Sequence, residues 1–546
     1  MRLSSTPAAM RAHYDVVIVG SGYGGGVAAS RLARAGKRVA VLERGREIPT
    51  GEFPSRFPEL RADMQVRGAR VRIGPATGLF DVRFGADMHV LVGCGVGGGS
   101  LINAGVALTP DPRVFADPIW PAALRQDPLL AEGYARAKRW LRPARDPRAR
   151  EHTKLQALDR ASDALGTAPS PAEIVVSFED TTSAGGVAQK ACTRCGDCCG
   201  GCNVGAKNTV ALTYLPDALR HGAQIFSHVK VRSLAREGGR WAVDIDPGHV
   251  ATDGLPERIT ADMVVLAAGT LGSTEILLRS RDRGLGLSDR LGRRFSANGD
   301  IIAFGYGAKS PVNAIGVGHP ARTDIVVGAA VSGQIEINDP DDLSRSLTIQ
   351  EGALPSALAP VLPVLFIPNG RLLGAVQSLI NGVYRGPFSG LQTFFAVSHD
   401  SASGRLVLVD DRLEIQWPGA KDEPVYKRLD DALTALVTRS GGKYVKNPLS
   451  GTMMGSQPAT AHPLGGCGLG EDRTSGVIDH KGRVFDATAP GAADVHQGLY
   501  VIDGSVMPRS LGVNPLLTIT ALAERALMHM CQDLGLAADA DPRPPA

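Results

Sequence analysis

Residues 14–43 hold the feature that most constrains this chain. A short apolar strand pattern, Tyr14 to Val19, runs directly into Gly20-Ser21-Gly22-Tyr23-Gly24-Gly25. A helical pattern from Val27 to Ala35 follows, Gly36 ends it, and Arg38 to Leu42 returns as a second apolar strand closing on Glu43. The order strand, glycine loop, helix, strand, acid is that of a dinucleotide-binding unit. Gly20 permits the tight turn, Gly22 lets backbone approach a pyrophosphate, and Gly25 lets helix and strand pack closely. The helix N-terminus then faces the negative charge, and Glu43 is placed to accept hydrogen bonds from ribose hydroxyls. This unit alone does not separate FAD from NAD, because both use the same pyrophosphate grip.

Two further segments favour flavin. Gly93-Cys94-Gly95-Val96-Gly97-Gly98-Gly99-Ser100-Leu101-Ile102-Asn103 follows the strand-like Met88 to Val92. No apolar strand ending in an acid comes after it, so it reads as backbone laid against a flat ring, with Gly97, Gly98 and Ser100 in the contact and Asn103 adding a polar group. Near the C-terminus, the strand pattern Leu499 to Ile502 leads into Asp503-Gly504-Ser505, then Gly512-Val513-Asn514-Pro515 and a helical run from Leu516 to Met530. Pro515 suits a first helical position, and that helix N-terminus would favour negative charge building on a reduced flavin. Asp503 is expected to accept from the ribityl or phosphate region, with Gly504 beside it. Val264 to Ser273 reads as another strand of the nucleotide sheet turning into a helix. The strand pair Gln224 to Phe226 and Lys230 to Leu234 brings Val229 to Val231 near the adenine, contacted through backbone. An NAD-dependent dehydrogenase would leave the C-terminal segments without a role.

Together with His462-Pro463-Leu464-Gly465-Gly466-Cys467, these motifs resemble the glucose-methanol-choline (GMC) flavoenzymes, in particular the bacterial cholesterol oxidases that hold FAD noncovalently. The resemblance implies an α/β fold: a Rossmann-like FAD-binding domain of residues 13–110, 185–300 and 455–535, with an inserted α+β substrate domain of the six-stranded-sheet type from residues 111–184 and 301–454. Residues 537–546 are expected to form a loose tail. The resemblance also places His462 and Asn514 beside the flavin N5, holding a substrate hydroxyl. Chemistry supports the histidine independently, since hydride loss from an alcohol carbon needs its O–H proton removed and imidazole titrates in the right range. The expected substrate is a small apolar, sterol-like alcohol, with oxygen or an electron carrier as acceptor. Glu351 is a candidate for a further acid–base step, although a surface position fits it better.

Five of the eight cysteines fall between Cys192 and Cys202. Cys192, Cys195, Cys198 and Cys202 have the C-x2-C-x2-C-x3-C spacing of ferredoxin iron–sulfur ligands, without the proline that usually follows. An iron–sulfur centre, a zinc site, and thiols or a disulfide all remain open. A cluster would make the chain a flavin/iron–sulfur dehydrogenase, or an electron-transfer protein without an alcohol substrate, passing electrons to a carrier rather than to oxygen.

The net charge of +4 comes with acids and bases interspersed, and no basic run with interleaved aromatics suggests nucleic acid. Met1 to His13 lacks the apolar core of a secretory signal, so a cytoplasmic protein is expected. Ala353 to Ile367 is broken by three prolines and does not read as a transmembrane span. The stretch 353–380 reads instead as a lid or core element, and as a lid it would touch a membrane transiently. Leu406 to Ile415 is expected to be a hairpin of the substrate sheet and Tyr426 to Leu436 an amphipathic helix. No internal repeat or heptad seam specifies an assembly.

Overall fold

The computed structural model describes all residues of the chain except 1, 69–70, 247–248, 250–253, 323, 366–381, 386, 451–455, 538 and 543–546. An eight-stranded sheet forms the first layer. Strand β1 (His13–Val19) lies at its centre, parallel to β2 (Val39–Leu42) on one side and to β3 (Arg258–Leu266) on the other. Gln224–Phe226 continues the parallel order beyond β2, and Val495–Val501 pairs in parallel with the C-terminal end of β3. These strands are apolar on both faces because helices cover both. Helix α1 (Tyr23–Arg34) packs on one of them, and α2 (Gly269–Asp282) leaves the end of β3.

The structure differs from the sequence expectation at the strand pair. Gln224–Phe226 pairs with β2, whereas Val231–Glu237 pairs with Arg240–Ile245 on the far side of β3. Between them His228 takes φ +63°, and the backbone N–H groups of His228 and Val229 donate to the carbonyls of Gly45 and Glu43. That detour carries the chain off the edge of the sheet.

The second layer is a six-stranded antiparallel sheet, in spatial order Lys443–Lys446, Ile301–Tyr306, Gln392–Ser398, β4 (Leu347–Gly352), Gly333–Ile337 and Ser170–Pro171. Alternation along β4 divides its side chains between two faces. Ile349 packs with Phe394 and Ala396 against Leu429, Leu433 and Leu436 of the helix Pro424–Arg439. Thr348 and Gln350 point the other way, toward residues 512–514.

The hairpin Gly404–Val409 with Arg412–Gln416 forms where expected but joins Arg293–Phe295 in a separate three-stranded sheet. Its apolar positions Leu406 and Ile415 are buried with Leu271 of α2, Phe295 and Trp417, and that burial draws it away from the six-stranded sheet. Residues 539–541 of the tail are tied down. Trp140 Nε1–H donates to the Ala540 carbonyl at 2.6 Å, and Arg34 reaches Asp539 and the Asp541 carbonyl.

The last helix, α3 (Leu516–Asp533), is locked to α1 by a buried ion pair between Arg31 and Glu524, with side chains 3% and 0% exposed. Tyr214 donates to Glu524 at 3.1 Å, and Arg31 also lies over the Trp140 ring. Replacing Glu524 with Gln leaves Arg31 buried against a neutral partner, and is expected to lower the unfolding free energy by about 3–5 kcal/mol, whereas the R31M/E524L double variant recovers most of that loss. Urea unfolding of the three proteins checks both statements.

Candidate active site

The two glycine loops meet back to back. A Cβ on Gly98, at φ +56°, would come within 2.8 Å of the Gly22 Cα, and Ser21 Oγ accepts from the Gly97 N–H at 3.0 Å. Ser21 Oγ in turn donates to Glu43 at 2.7 Å, whose other carboxylate oxygen accepts from the Gly45 N–H at 2.8 Å. Gly20, Gly22, Gly25, Glu43, Gly97 and Gly98 are thereby brought into one cradle. Val231 stands at a register irregularity two residues beyond Val229, which is bonded to the Glu43 carbonyl, so the adenosine end expected from sequence also comes together. Arg44 turns to the fully buried Asp81 at 2.6 Å and does not compete for Glu43.

The cradle fits FAD. A Cβ at Gly99 would meet nothing, and one at Gly22 only the Gly98 Cα at 4.0 Å, so both loops leave room at their surface. Asn103 donates through Nδ2 to Tyr23 at 2.7 Å while its Oδ1 is buried with no hydrogen-bond partner among the described residues. Glu43 keeps lone-pair capacity for ribose hydroxyls.

Two expected contacts are used differently. Ser100 donates to the Gly97 carbonyl at 2.6 Å and accepts from the Val210 N–H at 3.0 Å, so its hydroxyl shapes the loop. Asp503 accepts from Gly269 N–H, Ser273 Oγ, Ser505 N–H and Ser505 Oγ at 2.5–2.9 Å. Those four bonds fill its acceptor positions, and it ties the start of α2 to the Gly504 turn instead of receiving a ligand hydroxyl.

His462 and Asn514 are both registered by one short segment. At φ +57°, Asn298 accepts from the Leu511 and Gly512 N–H groups at 2.8 and 3.2 Å and donates to the Val513 carbonyl at 2.8 Å. Two residues on, Asp300 accepts from the Ala461 N–H at 2.7 Å and the Thr460 hydroxyl at 3.1 Å, and lies 3.3 Å from His462 Nδ1. The Asp300 carboxylate faces Nδ1, which is buried and makes no hydrogen bond among the described residues. Gly465, at φ +85°, donates from its N–H to the Gly504 carbonyl, which seats the histidine segment on the Asp503 turn.

Asn514 does not cap α3; its side chain exchanges hydrogen bonds with Gln350, at 2.6 and 3.4 Å. Sequence reasoning missed Asn298, Asp300 and Gln350. Only the Asn298-Gly299-Asp300 triplet carried a local signal, that of a turn.

Glu351 is buried, contrary to the surface position expected for it. It accepts from Lys154 Nζ at 2.7 Å and from the Ser332 and Gly333 N–H groups at 2.7 and 2.8 Å. Alternation sends it to the face of β4 opposite Gln350, away from Asn514.

A dinucleotide cradle facing an antiparallel sheet, with a histidine and an asparagine at the seam, defines a flavin-type oxidoreductase. The GMC oxidoreductase family models match residues 14–298 and 414–523, and the chain belongs to that family, whose members are FAD-binding flavoproteins acting on CH–OH groups. The cholesterol oxidase of Mycobacterium tuberculosis is 29% identical, covering 95% of this chain and 91% of its own length. That of Acinetobacter baumannii is 28% identical over 95% and 94%, and an Arabidopsis thaliana long-chain-alcohol oxidase 25% over 93% and 65%. A solved fungal aryl-alcohol oxidase shares the fold with a TM-score of 0.61 at 15% identity, covering 96% of this chain and all of that one.

Asn298→Ala removes the three bonds that hold the 511–513 loop. It is expected to lower kcat about 100-fold, the scale of a 1 Å misplacement, with bound flavin retained; steady-state kinetics and the flavin spectrum measure the two effects. His399 is buried against Gly512 and Ser510, and burial lowers its pKa to about 4. An unfolded imidazole binds its proton near 6.5, so the folded chain holds fewer protons between the two values and stability is lost as pH falls from about 6.5 to about 4. Unfolding free energies from urea titrations are expected to fall more over this window in wild type than in His399→Gln, by an amount on the order of 3 kcal/mol.

Proposed function

We propose that this chain oxidises the hydroxyl carbon of an apolar, sterol-like alcohol to a carbonyl. The observation that carries the reading is the shared anchoring of His462 and Asn514 by residues 298–300, which holds a base and a hydrogen-bonding amide in fixed register at the mouth of the dinucleotide cradle. In this proposal residues 13–110, 185–300 and 455–535 bind FAD, and residues 111–184 and 301–454 form the substrate side.

Bound FAD would supply the hydride acceptor. The chain's own groups do the rest. His462 Nε2 takes the hydroxyl proton, with its Nδ1 facing the Asp300 carboxylate at 3.3 Å. Asn514, oriented by Gln350, hydrogen-bonds the substrate oxygen. Gly20, Gly22 and Gly25 admit the pyrophosphate, Glu43 the ribose, and Asn103 Oδ1 a polar edge of the ring system.

The apolar substrate is supported by the relatives, cholesterol oxidases and long-chain-alcohol oxidases. Of the stretch 353–380, residues 366–380 lie outside the described part, and Val364 just before them is 57% exposed. The apolar composition of the stretch suits transient contact with a lipid surface. No helix among the described residues is long and apolar enough to cross a membrane. Eight thiols favour a reducing compartment such as the cytoplasm.

Anaerobic addition of cholesterol, and separately of a long-chain primary alcohol, is expected to bleach the flavin absorbance with the sterol preferred. His462→Ala is expected to lower kcat/KM by about 10²–10⁴ with the oxidised spectrum unchanged. A flavin that stays oxidised with the sterol but bleaches with the long-chain alcohol would reject the sterol-like substrate.

A further inference from the structure

The structure sorts the five clustered cysteines. Cys192, Cys195, Cys198 and Cys202 line one hollow with Asp197 and Lys207, and Cys199 is not in its wall. The four are those of the C-x2-C-x2-C-x3-C spacing. All are free thiols. The chain curls around them by alternating hand, with Arg194 at φ +58°, Gly196 at +82° and Gly201 at +108°. Backbone N–H groups of Arg194 and Ala330 point at Cys192 Sγ and Cys198 Sγ, each at 3.4 Å. Curled backbone with N–H groups aimed inward is a setting for anionic clusters.

The spacing of the sulfurs separates one ion from several. The sulfurs bound to a single tetrahedral zinc lie about 3.8 Å apart, given Zn–S bonds of about 2.3 Å. Among the described residues, the one trio of potential ligand atoms within 4.8 Å of one another is His13, Asp15 and Asp262, so no three of these sulfurs are that close. The four cysteines line one hollow without that close approach, as ligands to a multi-iron cluster would.

Lys207 supplies the second observation. Its ammonium is fully buried and donates to three carbonyls, those of Cys198 at 2.8 Å, Leu101 at 2.8 Å and Asn103 at 3.0 Å. A buried cation bonded to neutral acceptors favours a neighbouring anion. The same three bonds span from the cysteine loop to the Gly-rich loop against which the flavin ring is proposed to lie.

We propose that Cys192, Cys195, Cys198 and Cys202 ligate a [4Fe–4S] cluster, with Lys207 as the adjacent counter-charge, and that electrons leave the flavin pocket through it to an external one-electron carrier protein. The electron route rests on the FAD reading above. Oxidation of the alcohol to the carbonyl releases two electrons and two protons. The cluster passes the electrons singly, so two carrier molecules are each reduced by one electron per carbonyl formed, and both protons go to solvent, one by way of His462.

The test is anaerobic purification of the full chain, incubation with ferrous iron and sulfide, and assay of FAD, iron, acid-labile sulfide and zinc on one sample, with electron paramagnetic resonance after dithionite. About four irons and four sulfides per FAD are expected, with a reduced-cluster signal. Cys195→Ser and Cys202→Ser are expected to lose iron and signal while keeping FAD, and Cys199→Ser to keep all three. Full FAD with no iron after reconstitution, or zinc in its place, would overturn the cluster. Iron and sulfide bound by a chain that takes up no FAD would instead overturn the electron route.

Discussion

The close backbone approach at Gly20, Gly24 and Gly25 governs how the rest of the chain is assembled. A side chain on Gly25 would strike the Gly20 carbonyl, one on Gly20 the Ala267 carbonyl, and one on Gly24 the Ile502 carbonyl. Three strand ends distant in sequence therefore converge on the N-terminus of α1. That convergence brings residue 503 to residue 269 and lets Asp503 join the two turns. The nucleotide site is thus a product of both ends of the chain, and the inserted residues must leave and re-enter the sheet around it.

How the insertion returns decides the geometry of the chemistry. Ser296 to Asp300 leads from the three-stranded sheet into the strand Ile301–Tyr306 of the six-stranded sheet, and its Asn298 and Asp300 side chains clamp segments from residues 511–513 and 460–462. β4 then closes over the same place, with Thr348 and Gln350 reaching Gly512 and Asn514. His462 and Asn514, positioned from the junction between sheets, inherit the rigidity of both.

The parts readable in the sequence were those written in local pattern. The glycine loop, the alternation and helical periods, and the order of motifs at both ends are short-range signals, and the α/β fold, the family and FAD followed from them. Asn298, Asp300 and Gln350 act through partners 161–215 residues away, and no local period marks such a residue. Glu351 was misread for the same reason: its burial depends on Lys154, 197 positions earlier. The hairpin at 404–416 had the right local pattern but the wrong sheet, because the hydrophobic face that attracts it belongs to α2. Ala540 in the tail is held by a tryptophan 400 residues away, a contact with no local signal.

The nucleotide cradle is approached by separate segments with separate tasks. His462 and Asn514 arrive from the C-terminal part of the chain and are held by Asp300 and Asn298, while Lys207 arrives from the cysteine segment and is held by the carbonyls of Leu101 and Asn103. These two sets of bonds share no residue. The surroundings of His462 and Asn514 and the charge around the cysteine loop can therefore vary independently, provided the 93–103 loop keeps its shape. Ser100 secures that shape by bonding both Gly97 and Val210, which places its hydroxyl at the mechanical centre of the site although it touches neither reacting group.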